Sequence, residues 1–282
     1  DWTWVMMLDY MRTGDRRFLD LGTSMARHRV DVDQIWSDRV AHYFRGLTRY
    51  EKGYTDVHGG VKDGHYKAIP SHHWNQGIAV YYMLTGEEKA REAALRSATG
   101  VTLRTVDKFR KTPGSRVQLR EVGWGILVFC SAYDLTADQK YLDEALVLFR
   151  NVVKTKHKES GSPYMDGGLQ YYYSVYPFAM LHHRTGDAEV LDLMREGVKK
   201  DSFSYKYPEW TIHINNLYAY VGMVEKDQKA IAKAKDLFMR HAPGKPNPGV
   251  YNANGAWTKE SIKKLRYGHL LQYILWKKKG GG

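Results

Sequence analysis

The sequence predicts an all-α fold, an (α/α) toroid of about five to six helical hairpins. The hairpins at the two termini can be incomplete. Three observations predict it. One pattern recurs along the chain: an aromatic residue, an apolar run, a Thr-Gly-Asp type of turn, and a charged amphipathic run. The first run of a copy carries few or no charges, whereas the second is amphipathic. Long connections precede the first runs.

The turns mark the copies of the repeat. A glycine at the middle position can take the left-handed conformation that ends a helix. The acid that follows is expected in the first turn of the next helix, where the helix dipole favours a negative charge. A final apolar run, Tyr267 to Trp276, opens a sixth copy. The turns are Thr13-Gly14-Asp15, Thr85-Gly86-Glu87, Thr136-Ala137-Asp138, Thr185-Gly186-Asp187 and, more weakly, Lys226-Asp227.

The two helices of each hairpin are predicted to occupy different layers. The run from Trp74 to Leu84 has no charged residue, and neither has the run from Trp124 to Cys130. A helix that is apolar on all sides is buried, so these helices are expected to form the inner layer. The amphipathic partners would form an outer layer. We expect one domain over residues 1–279, followed by a glycine tail at 280–282.

Charge indicates the class of partner. The 282 residues include 43 Lys and Arg against 31 Asp and Glu, a net charge of +12 that favours a polyanionic partner. A generically basic surface is the plain alternative. No nucleic-acid module signature occurs, and no segment has the length of a membrane span. One cysteine excludes a disulfide within the chain, and no cofactor motif or zinc spacing occurs, so no cofactor and no metal are expected.

The long connections are expected to gather at one end of the ring, where a site would lie. Histidine and tyrosine transfer protons, so the candidate catalytic residues are His72, His73, Tyr171, Tyr172 and Tyr173. Arginine, asparagine and tryptophan hold carboxylates or sugar rings. The candidate substrate-binding residues are His58, Asn75, Arg120, Glu121, Trp124, Trp210, His213 and Asn215.

Each candidate also has a structural interpretation. The histidines can be hydrogen-bonded to backbone around a helix cap, and at least one tyrosine is expected to fill the core. Arg120 and Glu121 can form an internal ion pair. Asp31, Asp33 and Asp38 form a carboxylate cluster without the spacing of a calcium loop.

Four segments together resemble the central toroid domain of exo-acting rhamnogalacturonan lyases and related polysaccharide lyases, with the match concentrated in residues 1–100. The resemblance implies a carbon–oxygen lyase that cleaves a uronic-acid polysaccharide by β-elimination. It implies flanking β-domains that this chain lacks, and an extracellular or periplasmic location. The segments are Asp31-Val32-Asp33, His58-Gly59-Gly60, Pro70 to Gly77, and Tyr81-Tyr82 with Leu84-Thr85-Gly86.

Two other functions stay open. One is a glycoside hydrolase that acts on uronyl oligosaccharides with the same fold. Such an enzyme needs two carboxylic acids, and Glu121, Asp63 and Asp166 are the acids expected at the mouth of the ring. The other is a non-catalytic toroid that binds glycans. The chain begins with Asp1, which indicates a processed end or the edge of a fragment.

Overall fold

The structure of the chain is a computed structural model, and it divides into two compact units, Asp1–Thr155 and Lys156–Gly282. It describes residues 1–36, 41–43, 70, 73–114, 117–160, 171, 173–201, 203 and 208–240. The described part is helical apart from two short strands. The all-α class and the helical hairpins that the sequence predicts are confirmed. Closure of the hairpins into a ring, and a single domain over 1–279, stay predictions.

Unit 1 contains three helical hairpins. The two helices of each hairpin are α1 (Trp2–Thr13) with α2 (Arg16–Asp31), α3 (Asn75–Thr85) with α4 (Glu88–Val101), and α6 (Leu119–Thr136) with α7 (Lys140–Leu148). Helix α3 packs against α1, α4 and α6, so it lies at the centre of the unit. None of the described helices in the chain is long and apolar enough to cross a membrane.

Shorter elements extend the hairpins of unit 1. A π-helical segment, Thr102–Val106, and a short helix α5, Asp107–Lys111, continue α4. A second π-helical segment, Phe149–Lys154, continues α7. Helix α8 (Thr155–Ser160) begins at the last residue of unit 1 and otherwise belongs to unit 2. The strands β1 (Gln34–Trp36) and β2 (Ala41–Tyr43) pair in antiparallel fashion, with Ile35 opposite His42. The repeat pattern did not predict these strands, because they belong to the long connection between α2 and α3.

Unit 2 contains two further hairpins among its described residues. They are α9 (Val175–Thr185) with α10 (Ala188–Lys200), and α11 (Pro208–Val224) with α12 (Gln228–Arg240). Helix α11 packs against α9, α10 and α12. Residues 213–222 of α11 are all buried, so this helix is the centre of the unit.

The Thr-Gly-Asp turn is one hydrogen-bonded device that recurs in four hairpins. The middle residue is left-handed, with φ of 72° at Gly14, 74° at Gly86 and 65° at Gly186. In all four, the threonine hydroxyl donates to the carbonyl four residues earlier at 2.7–2.8 Å. The same hydroxyl accepts the N–H of the acid two residues later at 3.1–3.3 Å. The threonine therefore ties the end of one helix to the start of the next.

The acid of the turn has a different role from the one that the sequence predicted. It precedes the second helix, and at Asp15 and Asp187 its side chain caps that helix, whereas the Glu87 side chain makes no cap hydrogen bond. The Asp187 carboxylate accepts the N–H groups of Glu189 at 3.0 Å and Val190 at 3.2 Å. Asp15 caps α2 in the same way by accepting from Arg17 at 3.0 Å. A carboxylate in this position satisfies N–H groups that have no partner inside the helix.

Burial confirms the two kinds of helix in a hairpin. In α6, every residue from Val122 to Ala132 is buried, whereas Asp143 of α7 is hydrogen-bonded at the surface to Gln139, the residue that precedes that helix. In α4, burial is confined to small residues such as Ala90, Ala94 and Ala98, and the charged side chains face outward. The charge-free first helices are therefore the inner ones.

We predict that the middle residue of the turn controls stability through its backbone alone. Gly186→Ala should lower the free energy of unfolding by about 1 kcal/mol, because an alanine is strained in the left-handed region. A Cβ at Gly186 would have no atom within 4 Å, so crowding adds nothing. Ala137 already has φ of 54° at the equivalent position. Ala137→Gly should therefore raise stability by about 1 kcal/mol.

Urea denaturation of the two variants checks this prediction. A change of the same sign in both variants would contradict the backbone explanation.

Candidate functional site

A pocket of about 400 Å³ in unit 1 lies between the start of α1, the end of α2 and the residue that precedes α3. Indole rings and ionisable side chains share its wall. This combination is typical of a site that binds a polar ligand with apolar faces. The described residues that line it are Asp1, Trp2, Thr3, Ser24, Met25, His28, Arg29, Asp33 and Trp74.

A bridge through the Asp1 carboxylate positions the α1 wall of the pocket. One oxygen accepts the N–H of Trp4 at 3.0 Å and caps α1. The other oxygen accepts the N–H of Gly77 at 2.9 Å, in the first turn of α3. A Cβ at Gly77 would lie only 2.5 Å from the Trp4 nitrogen, so this close approach requires glycine. The bridge holds α1 and α3 together so that Trp2 and Trp74 line the same pocket.

The end of α2 supplies the charged wall. His28 and Arg29 lie in its last turn, where the helix dipole favours positive charge. The chain then turns, and the N–H of Asp33 donates to the carbonyl of His28 at 3.1 Å. The Asp33 carboxylate lies 3.4 Å from His28 Nε2 and 3.9 Å from Arg29 Nη1. Asp33 is only 6% exposed, so its carboxyl group is buried beside two basic side chains.

Aromatic rings complete the wall. The guanidinium carbon of Arg29 lies 5.8 Å from the centre of the Trp74 ring, which is within the range of a cation–π contact. Trp74 also packs against Trp124, with ring centres 6.3 Å apart. Trp2 is 44% exposed although it is a large apolar side chain. Indole faces stack on sugar rings, while the hydroxyl groups of a sugar can reach the charged groups beside them.

The predictions of site residues missed His28, Arg29 and Trp2. Asp33 was noticed only within an acidic cluster. One signal could have found the charged wall: a basic pair in the last turn of a helix, followed four to five residues later by an acid. No local pattern marks Trp2, because its part in the pocket depends on the contact between α1 and α3.

The predicted residues at the start of α3, His73 and Asn75, are buried. His73 has no exposed surface, and its Nδ1 makes a short hydrogen bond to the Ser97 hydroxyl. Asn75 is 2% exposed, and its amide donates to the carbonyl of Ala94 at 3.1 Å. Helix α3 begins at Asn75, so His73 lies two residues before it. Neither residue is among the described residues that line the pocket.

The predicted residues of α6 lie deeper in that helix than the sequence suggested. The helix begins at Leu119, so Arg120 and Glu121 belong to its first turn and Trp124 to its second. The Arg120 guanidinium lies 3.6 Å from the Glu121 carboxylate. This geometry agrees with the structural interpretation of an internal ion pair. Their part in substrate binding stays a prediction.

Unit 2 places a second set of predicted residues together. The Tyr173 ring meets the His213 ring edge-on, with centres 5.0 Å apart. Tyr171 is fully buried and stacks on Phe203, and burial raises the pKa of its phenol. A raised pKa disfavours the phenolate, the form that a catalytic base would need. Tyr171 therefore fits the core-filling interpretation.

The polar residues of α11 are buried in the helix interior. Helix α11 begins at Pro208, so His213 and Asn215 lie beyond its first turn. Asn215 has no exposed surface. Among the residues that the structure describes, no hydrogen-bond partner reaches either of its side-chain amide atoms. A buried amide without partners lowers stability.

A polar contact at the other end of α9 is structural. His182 Nδ1 and the Tyr220 hydroxyl are 2.7 Å apart, so the contact joins α9 to α11. Burial lowers the pKa of His182 and raises the pKa of Tyr220 to about 12. Both groups are therefore neutral near pH 7.

Four predicted residues lie wholly or partly outside the described part of the chain. They are His58, His72 and Tyr172, and Trp210, of which only the helical backbone is described. No group of three or more His, Cys, Asp or Glu side chains that could hold a metal ion occurs among the described residues.

Comparisons with known proteins show what the chain resembles. No family model matches the chain, and no curated protein matches it. A solved structure that it resembles is Bt3792 from Bacteroides thetaiotaomicron VPI-5482, a glycoside hydrolase family 76 mannosidase. The match has 13% sequence identity and a TM-score of 0.42, and it covers 99% of this chain and 70% of that chain.

The resemblance to exo-acting rhamnogalacturonan lyases is wrong. No family model supports it, and a solved structure that the chain resembles is a glycoside hydrolase instead. The prediction of a polysaccharide lyase is therefore wrong as well. Two of the four segments that suggested the resemblance have structural explanations in this chain. Thr85-Gly86 forms a helix-ending turn, and Gly77 allows α1 to approach α3.

We predict that Gly77→Ala displaces the α1 wall and costs about 1–3 kcal/mol of stability, because its methyl group would collide with backbone. Gly22→Ala is the matched control. At Gly22 the nearest atom to a new Cβ is the flexible end of Met7, at 2.7 Å, and the position is helical. That variant should change stability by less than about 1 kcal/mol. Equal effects in urea denaturation would show that the α1–α3 contact is not specially tight.

We also predict that Asn215→Leu raises the free energy of unfolding by about 1 kcal/mol, because leucine has nearly the same shape and removes a buried amide that has no partner among the described residues. Asn75→Leu is the control, since it removes the hydrogen bond to Ala94 and should give no gain. Urea denaturation measures both. Destabilisation by Asn215→Leu would show that the amide has a partner in solution.

Proposed function

We propose that the chain is a glycan-acting hydrolase, and that the pocket of unit 1 binds one sugar residue of the glycan. The observation that carries the proposal is the environment of Asp33. A carboxylate that is 6% exposed lines a pocket with two indole rings, and His28 and Arg29 lie beside it. The rings can hold the sugar face, and the carboxylate is the reactive group that hydrolysis requires.

Hydrolysis of a glycosidic bond needs two carboxyl groups. One protonates the leaving oxygen, and the other activates water or attacks the anomeric carbon. Asp33 supplies one of them in this proposal. Asp1 is unsuited to be the other, because both of its oxygens accept backbone N–H groups. The sequence's candidates for the second acid are Glu121, Asp63 and Asp166. Glu121 lies 3.6 Å from the Arg120 guanidinium, and the other two lie outside the described residues.

The positive charge of the chain supports a glycan partner that is acidic overall. A surplus of 12 positive charges attracts a polyanion from a distance. An acidic polymer and an extracellular or periplasmic location therefore belong to the proposal. They are not required by the pocket itself.

The alternative is a chain that binds a glycan without cleaving it. One observation favours it: among the described residues that line the pocket, Asp33 is the only carboxylate whose oxygens are not both bound to backbone N–H groups. The two functions differ in whether new reducing ends are formed.

The test is incubation of the purified chain with a panel of neutral and acidic polysaccharides. We expect reducing ends to increase without any new ultraviolet absorbance, because hydrolysis adds water and leaves no double bond. Asp33→Asn should lower the rate by about 10²–10⁴-fold, the usual contribution of a proton-transferring or reacting carboxylate. Circular dichroism of the variant should stay that of a folded helical protein.

Asp31→Asn is the matched control. Asp31 is two residues away and pairs with Lys89 at the surface, 2.6 Å distant. Its loss should leave the rate within about twofold, because an exposed ion pair contributes little. Equal loss of rate in both variants would show that Asp33 is not a reacting group of the site. Tight binding without any product would favour the alternative.

A further inference from the structure

The ionisable side chains that line the pocket include both basic and acidic groups. Two of the described lining residues are basic, His28 and Arg29, and two are acidic, Asp1 and Asp33. The basic pair faces the Asp33 carboxylate at 3.4 Å and 3.9 Å. The Arg29 guanidinium therefore already has the Asp33 carboxylate as a partner inside the pocket.

We propose that this pocket accepts a neutral sugar residue, and that Asp33 excludes an acidic one. The inference rests on the proposed binding of a glycan in the pocket. A uronate that entered would bring its own carboxylate close to Asp33. Two negative charges would then share one guanidinium, and both would lose water on entry.

A neutral sugar has no such conflict. Its hydroxyl groups both donate and accept hydrogen bonds, so one hydroxyl can donate to the Asp33 carboxylate and another can accept from Arg29. The indole of Trp74, which contacts Arg29 and Trp124, offers an apolar surface for the C–H groups of the sugar ring. Each group on the wall then finds a matching group on a neutral ligand.

This inference is compatible with the positive net charge of the chain. Surface charges act on a whole polymer across about 8 Å at physiological salt, the screening length of the solution. The pocket acts on one residue in contact with the wall. A polymer that is acidic overall can therefore be attracted by the surface while the pocket selects one of its neutral residues.

The test compares pairs of sugars that differ only at C6. The methyl glycosides of glucose and glucuronic acid form one pair, and those of galactose and galacturonic acid form another. Their binding to the full chain is measured by ligand-observed NMR and calorimetry at about 0.5 M salt, where attraction by exposed charges is largely screened. We expect the neutral member of at least one pair to bind about tenfold or more tightly than its uronate.

Asp33→Asn should change this preference. The substitution keeps the shape of the side chain but removes its charge, so Arg29 and His28 become available to a uronate. We expect uronate affinity to rise and the ratio of neutral to acidic affinity to fall by about tenfold or more. Asp31→Asn, on the surface beside the pocket, should keep the wild-type ratio.

The outcomes separate this inference from the proposed function. Wild-type protein that prefers the uronate would overturn the inference but leave glycan binding intact, and so would an unchanged ratio in Asp33→Asn. Failure of every sugar and every oligosaccharide to bind would overturn the proposed function itself. Loss of hydrolysis alone would not bear on the sugar preference, because binding is measured directly.

Discussion

The pocket depends on one contact between helices that are distant in the sequence. The Asp1 carboxylate joins the first turn of α1 to the first turn of α3 by accepting the N–H groups of Trp4 and Gly77. A side chain at position 77 would occupy the space of the α1 backbone. Because glycine allows this approach, Trp2 and Trp74 face one cavity, and the end of α2 closes it with Arg29 and Asp33. The site is thus a consequence of helix packing.

The same physical chemistry accounts for many of the acidic and hydroxyl side chains in the chain. Asp15 and Asp187 each satisfy N–H groups at the start of a helix, and Thr85 and Thr185 each join two helices. An acid in the repeated turn is therefore structural, although carboxylates are also the reactive groups of hydrolases. Asp33 differs from these acids because its carboxylate lies beside two basic side chains and lines a cavity.

The hairpins could be predicted from the sequence because their determinants are local. A left-handed Gly86 or Gly186 and a charge-free run after Trp124 act within a few residues, and the structure bears out each of them. The site could not be predicted in the same way. His73 lies in a segment that looked functional, yet its ring is buried against Ser97. Arg29 sits in an ordinary helix end, and only the packing of α2 beside α3 gives it a role.

The most direct test of this account is a crystal structure of the chain with a neutral hexose soaked into the crystals. The account predicts ordered sugar density in the cavity between the start of α1 and the end of α2, with the ring against Trp74 or Trp2 and a hydroxyl within hydrogen-bond distance of Asp33. Sugar density elsewhere on the protein, with this cavity empty at saturating ligand, would contradict it.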